Sequence, residues 1–573
     1  MPLCASVFLD AGAPAFAVEC AHLVSGSHVP DADDAACVLM ALNAVASHLQ
    51  EYMWAGLPDF ALWMLETYGG VPFVAVNAVI VLELALRAVR STASQIIVER
   101  GRVVAAALEV AAEGGRYSAE GGELYSEETA YLCVAVLSAA MFNGVEAALE
   151  SESEAARCAL VTPAVVRATL GVLRADFTNE TRVRLCACVL FYARNNALED
   201  LSGIAEALIT ALKALPNSEM VRNLVVLVFY SFCGNRPDVY DAMGAEARAA
   251  GGLMPLVHAL RARLTDESVD VAYKTLMAVT VIATAAPAGE DDAGIDEAMR
   301  AGVAIAALAL ARRHASQCTF VTEVFSFIKH LATAASRRDA IIAAGAFRSA
   351  ASALQNHPDS AVLQAQVLDV LALLIVDNAD RAEACSEEGV VELAARALRV
   401  HGITSEHVAC SAAVVLGRLC DMMQLENKSR AAADGAPAAA VAALQVHGQK
   451  SSYSAGHLMY GLCNLTVDCP AAAAAALAAD AVPLIVSTML AYPDDVWVLR
   501  NAGGCLRVVL RYAAPAIRQA ALHDWLHLLV PAIEAGFHSH CGSPDGMLGL
   551  EQAAGACIED PQPLYATSFG RAP

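Results

Sequence analysis

EACSEEGVVELAARAL, residues 383–398, carries a helical spacing of alanine, valine and leucine that is interrupted at Gly389. A glycine inside a helix costs about 1 kcal/mol relative to alanine, so its place in an otherwise good helical pattern needs a reason. Glycine reaches positive φ at little steric cost, and the interruption therefore predicts a sharp turn between two helices.

The same arrangement recurs along the chain. RRDAIIAAGAFRSAASAL ends at Leu354, IDEAMRAGVAIAALAL at Leu310, SRAAADGAPAAAVAAL at Leu444 and AAAALAADAVPLIVSTML at Leu490. The residue at the break is Gly302, Gly345, Gly389, Gly435 and then Asp480, in steps of 43, 44, 46 and 45 residues. Aspartate fits the same role because Asp and Asn visit the left-handed region more readily than other side chains. Each break precedes a second helix, a short turn and a longer helix whose central aliphatic residue keeps its distance. Gly302 to Ile328, Gly345 to Leu371 and Asp480 to Leu506 are 26 residues, and Gly389 to Leu416 and Gly435 to Leu462 are 27. Two marks that hold one offset through five units define a repeat. Upstream, Gly251 with Leu276 and Gly56 with Leu82 fit the template, while Gly101, Thr162 and Gly203 fit it more loosely.

The unit resembles the armadillo repeat: a short helix, a turn at glycine, a second helix and a long third helix, as in EEGVVELAARAL followed by ACSAAVVLGRLC. Repeats of this class run about 40 to 47 residues. The related HEAT repeat joins two helices without the glycine break. The resemblance implies an all-α fold, a right-handed α-solenoid superhelix of some eleven armadillo-type units covering nearly the whole chain. On that reading residues 1–50 form an N-terminal helical cap, 51–545 the solenoid, and 546–573 a last helix and C-terminal tail. Longer steps place inserted loops near 112–128, 148–157 and 286–294; the second and third are acidic (ALESESEAAR, APAGEDDAG). Such insertions map to surface loops, most often solvated spacers.

Composition limits the function classes. The 573 residues are 57% hydrophobic and 17% charged, with ample apolar surface for a continuous core. A mean hydropathy of +0.48 raises the question of membrane spans. The best candidate, VPFVAVNAVIVLELALRAV from Val71, is broken by Asn77 and Glu83, so no membrane insertion is expected. MPLCASVFLDAG has no basic residue before its apolar run, which argues against a secretory signal. Most of the 17 cysteines lie in apolar helical stretches, Cys133, Cys188, Cys233, Cys410 and Cys505 among them, and read as reduced core residues. The expected compartment is the cytoplasm, with the nucleus second. A net charge of -24 opposes nucleic acid and favours neutral or basic protein or peptide partners.

Catalytic motifs are absent: no phosphate-binding glycine loop, no nucleophile elbow, no paired CxxC. The sequence points to a non-enzyme without cofactor or metal, of open oligomeric state. One alternative of another class is a zinc protein or enzyme using His523, His527, His538, His540 and Cys541, since HDWLH places two histidines four apart on one helical face. In armadillo proteins the third helices line the concave groove and hold extended peptides. The resemblance therefore nominates Tyr460, Asn464, Arg418, Asp369, Ser326, His330 and Lys274 as partner-binding residues of a protein-interaction scaffold. Nuclear-import adaptors of the family repeat a W-A-x-S-N signature on these helices. Here YGLCN, with Tyr460 and Asn464 at the aromatic and asparagine positions, approaches it once, leaving an adaptor for basic peptides as the alternative.

Overall fold

In the computed structural model the described residues are 57–68, 78–82, 104–105, 108, 130–137, 158, 160–195, 202–235, 237–265, 268–284, 293–420 and 424–513. The proposed cap, the C-terminal tail, Gly56, Gly101, the loops near 112–128 and 148–157, and the C-terminal histidine set lie outside them. The chain divides into two compact units, residues 1–301 and 302–573. Among the described residues every regular element is helical, and the fold is an all-α solenoid.

The first unit contains α1 (Leu57–Tyr68), α2 (Pro163–Ala175), α3 (Glu180–Phe191), α4 (Ile204–Ala214), α5 (Glu219–Asn235), α6 (Pro237–Ala249), α7 (Leu253–Ala262), α8 (Val269–Thr284) and α9 (Ala293–Arg300). The second begins with α10 (Val303–Arg313) and α11 (Cys318–Ala332). Three full triplets follow: α12 (Arg338–Ala343), α13 (Ala346–Asn356) and α14 (Ala361–Ile375); α15 (Ala379–Glu387), α16 (Val390–His401) and α17 (Glu406–Leu419); α18 (Leu425–Ala433), α19 (Ala436–His447) and α20 (Ser452–Thr466). The last described triplet is α21 (Pro470–Ala478), α22 (Ala481–Ala491) and α23 (Val496–Arg511).

The break residues have the expected backbone. Gly302, Gly345, Gly389 and Gly435 have φ of 82°, 90°, 77° and 77°, and Asp480 joins them at 60°. Each ends one helix and starts the next. The Gly345 N–H donates to the Ile342 carbonyl at 2.8 Å, and its own carbonyl accepts the Ser349 N–H at 3.1 Å. The hinge at Asp480 bends α21 and α22 through 77°. Gly203, which the sequence fits loosely, is a full left-handed hinge at φ 84°. Thr162 is not: it keeps φ at -72° and caps α2 through its own hydroxyl, because a β-branched residue is barred from the left-handed region. The insertion placed at 286–294 is also shorter than expected, since α9 already begins at Ala293.

Three further marks share the period. Ser360, Ser405, Ser451 and Asp495, 15 or 16 residues after their hinges, cap the third helices by accepting backbone N–H groups. His357, His401 and His447 stand 12 residues after theirs, and each Nε2 donates to a carbonyl of the preceding unit: Ala315 at 2.6 Å, Pro358 at 2.7 Å and Gly402 at 3.0 Å. Ten residues after Gly203 and Gly389, a cation reaches forward to the next hinge. Lys213 donates to the Ala250 carbonyl at 3.2 Å and Arg399 to that of Asp434 at 2.7 Å, where the first helix exposes its unpaired C-terminal carbonyls. Between these polar ties the core is aliphatic: Leu371, Leu416, Leu462 and Leu506 are at most 1% exposed.

Candidate functional site

In the second unit α11, α14, α17, α20 and α23 pack side by side in chain order, so their outward residues form one continuous surface. In the first unit α3, α5 and α8 do the same. The stacking follows from the repeat: α14, apolar over most of its circumference, needs a neighbour on both sides.

On α14, Asp369 ties three helices together. Its Oδ2 accepts Lys329 Nζ of α11 at 2.6 Å and faces His407 Nε2 of α17 at 2.9 Å, while Oδ1 accepts the Ser411 hydroxyl at 2.5 Å. Burial pushes the Asp369 carboxyl upward, but the hydrogen bonds from Lys329, Ser411 and His407 outweigh it and hold the group below the usual carboxylate range. An aspartate, a histidine and a serine in contact resemble a hydrolytic triad, yet the connectivity is wrong. Ser411 gives its proton to Asp369 rather than to the imidazole, and the serine is buried. The cluster is an electrostatic clamp between helices.

The second feature is an aromatic ribbon. Tyr460 of α20 stacks on Trp497 of α23, with centroids 5.7 Å apart and planes 26° apart. His457 lies 6.4 Å from Trp497 and 4.2 Å from Tyr453. Two glycines make room for it. A Cβ at Gly417 would come within 2.6 Å of Tyr460 Cε1, and one at Gly456 would overlap the Trp497 indole. Even so, Tyr453 is 64% and Trp497 42% exposed.

The nominated residues do not form one cluster. Lys274 belongs to the first unit, bonded to Asp270 at 2.5 Å and set 5.6 Å from the Tyr230 ring. Arg418 is turned back to the Ala372 carbonyl. Asn464 and Ser326 are half-buried, and neither side chain makes a hydrogen bond among the described residues. Partial desolvation of the His330 ring and the neighbouring Lys329 lower its pKa. Asp369 and Tyr460 sit in built surroundings, with partners that sequence reading missed: Lys329, His407, Ser411, His457, Tyr453 and Trp497. The signal was available. Trp497, Tyr453 and His407 all lie nine residues before the central aliphatic position of their helix, a row the W-A-x-S-N comparison does not inspect.

Cys133, Cys188, Cys410 and Cys505 are buried and form no disulfide, while the side chain of Cys233 lies outside the described residues. Burial pushes the Cys133 and Cys420 thiols up to about 12. Among the described residues no group of histidine, cysteine and carboxylate side chains could hold a metal ion, and no single helix is long and apolar enough to cross a membrane.

No family model matches the chain, and the search of curated proteins found no match. Solved structures do. A chain from a structure concerned with a phosphorylation switch controlling the interaction between cadherin and beta-catenin superposes with a TM-score of 0.65. It shares 13% identity, with 94% of this chain and 98% of that one covered. An engineered protein solved by the Northeast Structural Genomics Consortium superposes at 0.53 with 16% identity, covering 78% of this chain and 98% of its own. At such identities the likeness establishes the fold, a helical-repeat solenoid.

Proposed function

We propose that this chain is a non-catalytic protein-interaction scaffold of armadillo type, holding a partner protein or extended peptide along the surface lined by its third helices. The armadillo assignment is supported by the left-handed hinge that splits each unit into three helices. The observation that carries the binding role is the aromatic ribbon on α20 and α23, which leaves Tyr453 and Trp497 exposed although Gly456 gives the Trp497 ring room to pack. Rigid, exposed aromatic side chains are the residue type that concentrates binding energy in protein interfaces. The chain's charge of -24 favours a neutral or basic partner, and described cysteines that form no disulfide suit a reducing compartment such as the cytoplasm. An import-adaptor role draws less support, because the Tyr460 and Asn464 pair stands alone among the third helices.

Affinity capture tests the reading. The full chain, a Tyr460→Ala/Trp497→Ala variant, and a Glu383→Ala/Arg396→Ala variant changed at exposed sites of α15 and α16 are compared under one condition. The expected result is a partner lost from the first variant and retained by the second. Equal retention by both would remove the third-helix surface from the function.

A further inference from the structure

Beside the ribbon an open cleft of about 630 Å³ lies where α22 turns into α23, against the first turn of α20. Its walls include Ser452, Tyr492, Pro493, Asp495 and Trp497. We infer that this cleft takes an uncharged, proline-rich segment of the partner in the polyproline II conformation, held by ring faces and by hydrogen bonds to its carbonyls. The inference rests on the scaffold reading above and names the partner chemistry its surface accepts.

The carboxylates around the cleft are already engaged. Asp495 Oδ1 accepts the N–H groups of Trp497 and Val498 at 3.0 and 3.1 Å, and Glu406 Oε1 accepts the Ser451 and Ser454 hydroxyls. Asp494 also has an interaction within the chain. What remains is aromatic surface and hydrogen-bond donors. Trp497 and Tyr453 are exposed, and the hydroxyls of Ser452, Tyr453 and Tyr492 and the indole N–H of Trp497 have no hydrogen-bond partner among the described residues. A surface of rings and donors suits a ligand with apolar faces, many acceptors and few donors of its own. Proline meets that description: its ring is apolar, its nitrogen carries no hydrogen, and its carbonyl stays open because the polyproline II helix has no internal hydrogen bonds. Such a helix is also preformed, so little freedom is lost when it docks on aromatic rings. The receiving wall is equally preset, because Gly456 lacks the Cβ that would overlap the indole and Tyr460 stacks on it.

Spacing agrees with the chemistry. Tyr453 and Trp497 each stand nine residues before the centre of their helix, so they share one row on α20 and α23, which pack against each other. Packed helices lie about 8–10 Å apart, and one turn of polyproline II, three residues, advances about 9 Å. Prolines on successive turns therefore meet Tyr453 and Trp497 in succession. This row lies at the edge where the third helices begin, seven residues before Tyr460 in α20. It is distinct from the Tyr460 and Asn464 positions at which the armadillo resemblance places peptide contacts.

The test is calorimetric titration of the full chain with acetylated, amidated decaproline at low and at physiological salt. A glycine-serine peptide of equal length, and the same peptide carrying three arginines, are the comparisons. Decaproline is expected to bind with an affinity that salt leaves unchanged, and the glycine-serine peptide to bind at least about tenfold more weakly. Trp497→Ala is expected to weaken decaproline binding about tenfold. Tyr453→Phe and Tyr492→Phe each remove one donor and keep the ring, and each is expected to cost about threefold. Both phenylalanine variants should keep the wild-type thermal midpoint, so they decide the matter even where Trp497→Ala destabilises α23. No binding of decaproline, equal or tighter binding of either comparison peptide, or affinity indifferent to Trp497→Ala or to both phenylalanine variants overturns the proposal. These failures leave the capture experiment standing, so the scaffold role can survive them. Conversely, decaproline binding that depends on Trp497, beside a captured partner indifferent to Tyr460 and Trp497, keeps the cleft and removes the scaffold surface.

Discussion

The hinges and the third-helix surface of the second unit obey different rules. At the hinges one backbone requirement returns every 43 to 46 residues and is met each time by glycine or, at 480, by aspartate. On the third helices the position two residues before the centre is serine, aspartate, valine and tyrosine in turn at 326, 369, 414 and 460. Repetition is demanded where each unit must bend alike to stack on the next. It is released where side chains meet neighbours or a partner, and there each unit carries its own chemistry.

Core truncation should break that contrast most severely. Leu416 is fully buried at the centre of α17, and Leu416→Ala is expected to cost about 2–5 kcal/mol. Asn464→Ala, on the third-helix surface of α20, should stay within about 0.5 kcal/mol. Urea unfolding of both variants measures the difference. Comparable losses would mean that the surface is structural and not reserved for binding.

Hinge substitutions come next. Gly389 has open space around its α-carbon, so Gly389→Ala isolates the backbone cost of about 1–2 kcal/mol for a left-handed alanine. Gly345→Ala should cost more, because Arg312 Nη1 lies 3.1 Å from where the methyl would stand. Asp480→Gly should be neutral or stabilising. A Gly389→Ala variant as stable as the parent in thermal melts would remove the reason given for the glycine.

The histidine row gives a smaller effect. His447 is 3% exposed and bonded to the Gly402 carbonyl, so His447→Ala is expected to cost about 1–2 kcal/mol through an unpaired buried acceptor. Amide hydrogen exchange should then rise on both sides of that contact, in α16 and α19. Exchange confined to α19 would show that the bond does not tie neighbouring units.

The fold was legible because its determinants are local: a hinge needs a residue type, and a helix face needs a period. The serine caps and the histidine row were equally legible by offset, but emerge only when every position of the unit is compared. Gly203 and Thr162 show the limit of counting. Both fit the period loosely, and side-chain sterics decide that one turns left-handed while the other caps. The site was legible only in part. Asp369 and Tyr460 were nominated by their row, yet Lys329, His407 and Trp497 reach them from adjacent helices. Which rows meet depends on the packing of neighbouring units, which steps of 43, 44, 46 and 45 residues do not state.

Asp369 provides the finest probe of the surface side of the comparison. Its folded pKa lies below the ordinary carboxylate value, so it contributes stability that is fully present above the unfolded pKa, about 4, and is lost as pH falls through the folded value. Asp369→Asn cannot titrate. The stability gap between the two proteins should therefore narrow as pH falls from about 5 to about 3. Its size is limited by solvent: the Lys329 and His407 side chains are 37% and 58% exposed, so screening keeps the pair contribution under about 1 kcal/mol. Urea midpoints across that range report it. A gap that stays constant down to pH 3 would mean the carboxylate charge does not hold α11, α14 and α17 together, and that shape alone aligns the third helices.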